Sequence, residues 1–169
     1  MRIFLVGYMG SGKTTVARRL AARLNFTFVD LDQYIETKTG SSVSEIFEVA
    51  GEEKFRNLEG RYLNEVCEME RVVIATGGGT PCFGQNMEQM KTAGTVVYLQ
   101  MSIGALMNRL RNSKRERPLL KTITEGKMYE FIQSQITERE LFYKKANIIV
   151  NGESANADTL ARLVLNQEE

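Results

Sequence analysis

A short glycine-rich segment near the start of the chain, residues 7–15, severely limits its possible folds. It reads Gly-Tyr-Met-Gly-Ser-Gly-Lys-Thr-Thr, follows the apolar run of residues 3–6 and precedes a stretch with helical spacing. It matches the pattern G-x-x-x-x-G-K-[ST], whose backbone N–H groups turn inward onto phosphate oxygens. The helix behind such a loop adds the positive end of its dipole. The segment therefore predicts a strand, a loop and a helix that bind a nucleoside triphosphate.

The residues of this loop suit different parts of the nucleotide. Lys13 is expected to reach the β- and γ-phosphates, and the Thr14 hydroxyl is expected to ligate Mg²⁺. The predicted nucleotide contacts in the loop are Gly10, Ser11, Gly12, Lys13, Thr14 and Thr15. Mg²⁺ is therefore the predicted cofactor, with ATP as co-substrate.

Length and net charge limit the classes of protein to which this chain can belong. The chain has 169 residues, of which 43% are hydrophobic, so one domain spanning 1–169 can bury a core. Its 22 basic and 21 acidic residues leave a net charge of +1, which offers no broad surface for nucleic acid or anionic membranes. No apolar stretch approaches the ~20 residues of a membrane span. We expect a cytoplasmic monomer whose partners are small molecules.

The side chains available for chemistry are also limited. Histidine is absent, and the two cysteines, Cys67 and Cys82, lack C-x-x-C spacing. Neither a zinc site nor a disulfide framework is indicated. Acid–base chemistry must therefore use carboxylates, Lys, Tyr or Cys.

Five short apolar runs alternate with longer segments of helical spacing. They lie at residues 3–6, 26–29, 72–75, 95–99 and 148–150. Strands joined by helix-length connections imply a parallel sheet covered on both faces. The predicted fold class is α/β, a three-layer α/β/α sandwich with a five-stranded parallel sheet. Residues 42–45 resemble a capping box that opens one helix, and a second helical segment is predicted from about 52 to 69.

Two aspartates follow the second predicted strand. Ligands of open parallel sheets collect beyond the carboxyl ends of the strands, and extended geometry puts Asp30 and Asp32 on the same side. Asp30 is expected to hold a Mg²⁺-bound water, and Asp32 to accept a hydrogen bond or proton from the hydroxyl of a phosphoryl acceptor. The alternative for either residue is a helix N-cap, for which Asp is favoured.

Three successive glycines, Gly77, Gly78 and Gly79, follow the third predicted strand. Without side chains, they can bring bare backbone N–H groups against a small ligand. The alternative is a flexible turn ahead of a helix that begins near Pro81.

Arginine provides the remaining candidates. Arg56, Arg117 and Arg139 carry planar groups suited to carboxylates and phosphates, although each taken alone is more typical of a surface ion pair. Residues 111–125, which include Arg117, are rich in basic side chains. They are interpreted as a mobile lid over the phosphates, with an ordinary solvated loop as the alternative. The residues alone thus indicate a Mg²⁺-ATP phosphotransferase with an unidentified small acceptor.

Taken in this order, the motifs resemble those of the shikimate kinases, a family in the nucleoside-monophosphate-kinase-like branch of P-loop NTPases. The segments that carry the resemblance are residues 7–15, 28–32, 44–47, 51–52, 55–59, 75–79 and 117–120, followed by Arg139 and Tyr143. The resemblance implies transfer of the γ-phosphoryl group of ATP to the 3-hydroxyl of shikimate, on the way to chorismate and the aromatic amino acids. It also implies the strand order 2-3-1-4-5 and an acceptor-binding region at about 33–59.

The resemblance further implies roles for individual residues in binding the acceptor. Asp32 would bind the ring hydroxyls and act as base, and Gly78 would contact a ring hydroxyl from its backbone. Arg56 and Arg139 would clamp the carboxylate of shikimate, and Glu59 would orient Arg56.

On the nucleotide side, the resemblance implies that Thr14 and Asp30 serve Mg²⁺. Lys13 and the lid residue Arg117 would neutralise the charge that develops during transfer. Adenine recognition departs from the family pattern, because Arg109 and Arg111 compete for one position and residues 151–156 contain no Arg for the other.

Two other functions are compatible with a phosphate loop. One is another P-loop kinase that acts on a different small molecule or on a nucleotide. The other is a nucleotide-binding switch, although the guanine-reading sequence N-K-x-D is absent.

Overall fold

A five-stranded parallel sheet forms the centre of the computed structural model, which describes residues 1–113 and 123–167. The strands are β1 (Arg2–Val6), β2 (Thr27–Asp30), β3 (Val72–Ala75), β4 (Thr95–Gln100) and β5 (Ile148–Asn151). Their order across the sheet is β2-β3-β1-β4-β5, and every neighbouring pair is parallel. The predicted fold class and strand order are therefore confirmed.

Helices connect the strands and cover both faces of the sheet. They are α1 (Lys13–Leu24), α2 (Leu31–Thr39), α3 (Val43–Cys67), α4 (Asn86–Ala93), α5 (Ile103–Arg111), α6 (Met128–Tyr143) and α7 (Ala157–Leu165). Short 3₁₀ turns occur at Thr80–Cys82 and Glu125–Lys127.

Side-chain alternation along the strands divides the core into two parts. In β1, Ile3 and Leu5 pack on one face of the sheet, in the cluster that contains residues of α1 and α7. Phe4 and Val6 point to the other face, in the cluster that includes residues of α2 through α6. Because successive side chains of a strand point to opposite faces, the four buried apolar residues of β1 pack against both helical layers.

The long helix α3 is broken near its start. Ser42 caps it in a reciprocal capping box with Glu45, as the sequence predicts. Gly51 then adopts φ 81° and ψ 169°, which interrupts the helical geometry. The predicted second helical segment corresponds to the part of α3 after this break.

The strand register brings three loops to one edge of the sheet. Ala75 at the end of β3 pairs with Leu5 of β1 on one side and with Asp30 of β2 on the other. The segments that leave these three strands therefore begin side by side. They are the predicted phosphate loop, the aspartate pair and the glycine triplet.

The predicted lid lies largely outside the described residues. Arg111 ends α5, and the chain is described again from residue 123. Arg117 falls in the segment between them, so its interpretation as a lid residue stays a prediction. Among the residues described, no helix combines the length and apolarity needed to cross a membrane.

The packing of α1 on the sheet provides a test of the fold. We expect Leu20→Ala to lower the free energy of unfolding by about 2–5 kcal/mol, since Leu20 is fully buried and its loss leaves a cavity. The matched change Leu141→Ala, at a side chain 74% exposed on α6, should alter it by about 0.5 kcal/mol or less. Urea unfolding of both variants measures the difference. Equal losses would contradict this description of the core.

Candidate active site

The phosphate loop joins the end of β1 to the start of α1. Gly10 and Gly12 adopt φ angles of 81° and 90°, in the left-handed region that residues with a Cβ avoid. Gly12 is the N-cap of α1 and provides no side-chain cap, so the first N–H groups of this helix need other acceptors. A phosphate group meets that need and is favoured there by the helix dipole.

Lys13 is held against the loop that precedes it. Its side chain is buried, and Nζ donates to the carbonyl oxygens of Gly7 at 2.8 Å and Tyr8 at 3.0 Å. These contacts keep a positive charge beside the loop, where phosphate oxygens would lie. The fully buried Ser11 contributes to the loop through its backbone, whose N–H donates to Tyr8 O at 3.1 Å.

Thr14 and Asp30 meet at the mouth of the loop. The Thr14 hydroxyl donates to Asp30 Oδ2 at 2.8 Å, while Asp30 Oδ1 accepts from the backbone N–H of Gln33 at 3.3 Å. Asp30 is therefore the N-cap of α2, the alternative that the sequence left open, and at the same time contacts the phosphate loop. The pair offers hard oxygen ligands of the kind that Mg²⁺ prefers.

A pocket of about 460 Å³ lies over the loop. Its lining residues from the loop are Met9, Gly10, Gly12, Lys13, Thr14 and Thr15. Asp30, Asp32, Gly77 and Gly78 form its other side. The structure thus brings together the nucleotide-binding candidates, the aspartates and part of the glycine triplet.

A smaller cavity of about 100 Å³ adjoins this pocket. The two share Asp32, Gly77 and Gly78 in their linings. Arg56 from α3 and Arg139 from α6 both line the smaller cavity, although they are far apart in the sequence. Its apolar lining consists of Met9, Val43, Phe47 and Phe55. The cavity therefore offers two cationic groups for an anion and apolar side chains for a ring.

Arg56 is fixed by carboxylates of its own helix. Nη1 donates to Glu59 Oε2 at 2.9 Å, and Nη2 donates to Glu52 Oε1 at 3.1 Å. The Arg56 side chain is 12% exposed, that of Glu59 is fully buried and that of Glu52 is 51% exposed. One ion pair is thus internal, and the other lies at the surface.

The turn after β3 packs against the guanidinium of Arg56. Its Cζ lies 4.0 Å from the ring centroid of Phe83, within the range of a cation–π contact. A Cβ at Gly79 would lie 2.6 Å from Nη2 of Arg56. A side chain at position 79 would therefore displace the Arg56 guanidinium, although the φ of −92° would suit other residues.

The other two glycines of the triplet also lie in crowded surroundings. A Cβ at Gly77 would meet Glu59 Oε1 at 2.9 Å, and a Cβ at Gly78 would meet the backbone nitrogen of Met9 at 3.2 Å. The Tyr143 hydroxyl donates to Gly78 O and holds the loop from α6. The close approach of the backbone explains the triplet better than a flexible turn does.

Glu59 is a carboxylate in the protein interior. Burial raises its pKa, which the Arg56 charge and hydrogen bonds from Thr80 and Arg56 oppose. The nearby charge of Asp32 raises the pKa further. The Thr80 hydroxyl donates to Glu59 Oε1 at 2.6 Å, so each carboxylate oxygen has its own partner.

The two candidates for adenine contact lie in different places. Arg109 lines the larger pocket and donates from Nη1 to Ser11 O at 3.0 Å. Arg111 is exposed at the end of α5 and is not among the lining residues in the described part of the chain. Of the two arginines, Arg109 is therefore better placed to contact adenine.

Sequence reasoning missed three residues around Arg56. Thr80 directly follows the glycine triplet, a position that could have drawn attention to its hydroxyl. Glu52 precedes Arg56 by four residues, the spacing of an ion pair on a helix. Phe83 carried no signal, because only the folded turn brings its ring to the guanidinium.

Known proteins match the chain over nearly its whole length. The family model described as "Shikimate kinase" matches residues 9–168. The shikimate kinase of Parabacteroides distasonis is 48% identical over 152 residues, which cover 90% of this chain and 88% of that protein. The crystal structure of shikimate kinase from Bacteroides thetaiotaomicron superposes with a TM-score of 0.91 at 41% identity and covers 100% of this chain and 99% of that one.

A second solved structure is that of shikimate kinase from Acinetobacter baumannii in complex with shikimate. It has a TM-score of 0.87 at 37% identity, and the match covers 99% of this chain and 92% of that one. Agreement in sequence and in fold over nearly the whole chain leads to one conclusion: the chain belongs to the shikimate kinase family.

Proposed function

We propose that the protein transfers the γ-phosphoryl group of Mg²⁺-ATP to the 3-hydroxyl of shikimate and forms shikimate 3-phosphate for aromatic amino acid biosynthesis. The observation that carries this proposal is the position of Asp32. This carboxylate lines both the phosphate-loop pocket and the cavity that holds the two arginines. A base at that junction can face an acceptor hydroxyl on one side and the transferred group on the other.

The smaller cavity matches the chemistry of shikimate. The acceptor has one carboxylate, which Arg56 and Arg139 would bind with charge-assisted hydrogen bonds. Its ring would lie along the apolar wall, and its hydroxyls would face Asp32 and the backbone of the glycine triplet, Gly77 to Gly79. All five lining residues from α3 lie within the proposed acceptor-binding region, about 33–59.

The residues around the phosphate loop would position the nucleotide. Backbone N–H groups of the loop and Lys13 would bind the phosphates, as in other P-loop enzymes. Thr14 and Asp30 would hold Mg²⁺ directly or through water, and the metal would neutralise charge on the phosphates. The described residues contain no cluster of three or more Asp, Glu, His or Cys side chains that could hold an ion alone, which suits an ion that arrives with its nucleotide.

Asp32 is the proposed catalytic base. It would accept the proton of the 3-hydroxyl while the hydroxyl oxygen forms its bond to the γ-phosphorus and the bond to ADP breaks. Little other covalent chemistry is required of the protein, because alignment and charge neutralisation supply most of the catalysis. We propose that Arg117, which lies outside the described residues, contributes to that neutralisation from the predicted lid.

The switch alternative fits the site less well. A nucleotide switch has no use for a second cavity that places two arginines beside the phosphate-loop pocket. A kinase for a nucleotide acceptor would share the phosphate-loop pocket and differ in the acceptor, which the comparison of acceptors below distinguishes. We also propose a cytoplasmic monomer without nucleic-acid or membrane partners, in keeping with a net charge of +1.

The first experiment tests the acceptor directly. We expect ADP release from Mg²⁺-ATP to increase strongly when shikimate is added, and mass spectrometry to show a singly phosphorylated product. Gluconate and nucleoside monophosphates serve as comparison acceptors. Stimulation by one of those compounds and not by shikimate would identify a different kinase.

Asp32→Asn tests the base. We expect kcat to fall by roughly 10²–10⁴, because the amide cannot accept the proton, while the Kd for ATP stays close to that of the unchanged protein. Asp158→Asn makes the same chemical change at a side chain 65% exposed and should leave both values unaltered. Full turnover by the Asp32→Asn variant would remove Asp32 from this role.

Arg56→Ala tests the carboxylate clamp. We expect the KM for shikimate to rise about 10–100-fold and the KM for ATP to change little, since the lost hydrogen bonds involve a charged acceptor. Arg61→Ala removes an arginine from the same helix whose side chain is 70% exposed, and it should affect neither constant. Equal effects of Arg56→Ala on both substrates would contradict the clamp.

A further inference from the structure

We infer that Thr80 is a positioning residue for the acceptor: its hydroxyl orients Glu59, and Glu59 in turn orients the guanidinium of Arg56. The inference rests on the proposed function, in which Arg56 binds the carboxylate of shikimate. Acceptor affinity would then depend on Thr80 as well as on the two arginines of the clamp.

The hydrogen bonds form a chain of three side chains. Thr80 Oγ1 donates to Glu59 Oε1 at 2.6 Å, and Arg56 Nη1 donates to Glu59 Oε2 at 2.9 Å. With a different partner on each oxygen, the carboxylate cannot rotate without breaking a bond. The plane of the carboxylate thereby sets the direction in which Nη1 of Arg56 points.

Thr80 is itself fixed by the turn in which it lies. Its backbone N–H donates to Gly77 O at 3.3 Å, and its carbonyl oxygen accepts from Asn86 Nδ2 at 2.9 Å. The residue is fully buried. The hydroxyl therefore has a defined position relative to the glycine triplet, and it transmits that position to α3 through Glu59.

The Thr80 hydroxyl affects the pKa of Glu59 as well as its packing. Burial and the charge of Asp32 on α2 raise the pKa of Glu59, while Arg56 on α3 and the Thr80 hydroxyl lower it. Cys82 in the same turn also faces this carboxylate, and burial raises the pKa of its thiol to about 11, so it stays neutral near pH 7. Without the hydroxyl, the pKa of Glu59 rises further, and protonation then deprives Arg56 of its internal ion pair.

Three variants separate this role from a general effect on the fold. Thr80→Val removes the hydroxyl at similar volume, and Thr80→Ser retains it. Thr92→Val makes the same substitution on α4, at a threonine that lines neither of the two pockets and whose hydroxyl donates to Glu88 O at 2.9 Å. This control loses a threonine hydroxyl and its hydrogen bond at a position away from the site.

We expect Thr80→Val to raise the KM for shikimate roughly tenfold while the KM for ATP changes little. Thr80→Ser should restore the KM for shikimate, and Thr92→Val should leave both KM values unchanged. In Thr80→Val, the KM for shikimate should begin to rise on acidification at a higher pH than in the unchanged protein, because the pKa of Glu59 is higher. If Thr80→Val does not fold, Thr80→Ala removes the same hydroxyl and is measured instead.

The outcomes distinguish this inference from the proposed function. If Arg56→Ala raises the KM for shikimate but Thr80→Val does not, the clamp stands and the role of Thr80 is wrong. If Arg56→Ala has no selective effect, the proposed clamp itself fails. The double variant Arg56→Ala/Thr80→Val should behave as Arg56→Ala does, since Thr80 acts through Arg56, and additive losses would overturn the inference.

Discussion

The charge of Glu59 in the protein interior is the constraint on which the acceptor side of the site depends. A buried carboxylate is costly unless every oxygen is paired, and Arg56 and Thr80 provide those partners. One partner belongs to α3 and the other to the turn after β3. Satisfying this one charge therefore ties a helix of the outer layer to the edge of the sheet and leaves the guanidinium at the cavity wall.

The sheet register supplies the other half of the arrangement. β1, β2 and β3 end side by side, so the phosphate loop, the aspartate pair and the glycine triplet are neighbours by topology alone. The triplet then packs against the phosphate loop at Gly78 and against Glu59 at Gly77. The nucleotide pocket and the smaller cavity share a wall because one backbone segment contacts both structures.

Short sequence patterns predict only those parts of the fold and of the site that depend on neighbouring residues. Apolar runs and helix-length connections predict the parallel sheet, the capping box predicts the start of α3, and resemblance to the family adds the strand order. Convergence of Arg56 and Arg139 could not be predicted from spacing, because only the folded arrangement of α3 and α6 around the sheet brings both side chains to one cavity. Asp30 shows a different limit: its two oxygens let it cap α2 and contact Thr14 at once, so the two interpretations were never exclusive.

The two carboxylates that pair with Arg56, those of Glu59 and Glu52, differ in the free energy that their displacement would cost. Removing Glu59 from the guanidinium would leave a buried charge without its ionic partner, a loss of about 3–5 kcal/mol for buried pairs in general. Glu52 is half exposed, and surface pairs of that kind contribute about 0–1 kcal/mol. Displacing Glu52 from the guanidinium would therefore cost less free energy than displacing Glu59. Arg56 thus has an internal partner that sets its direction and an external partner that an anion could replace without breaking the internal pair.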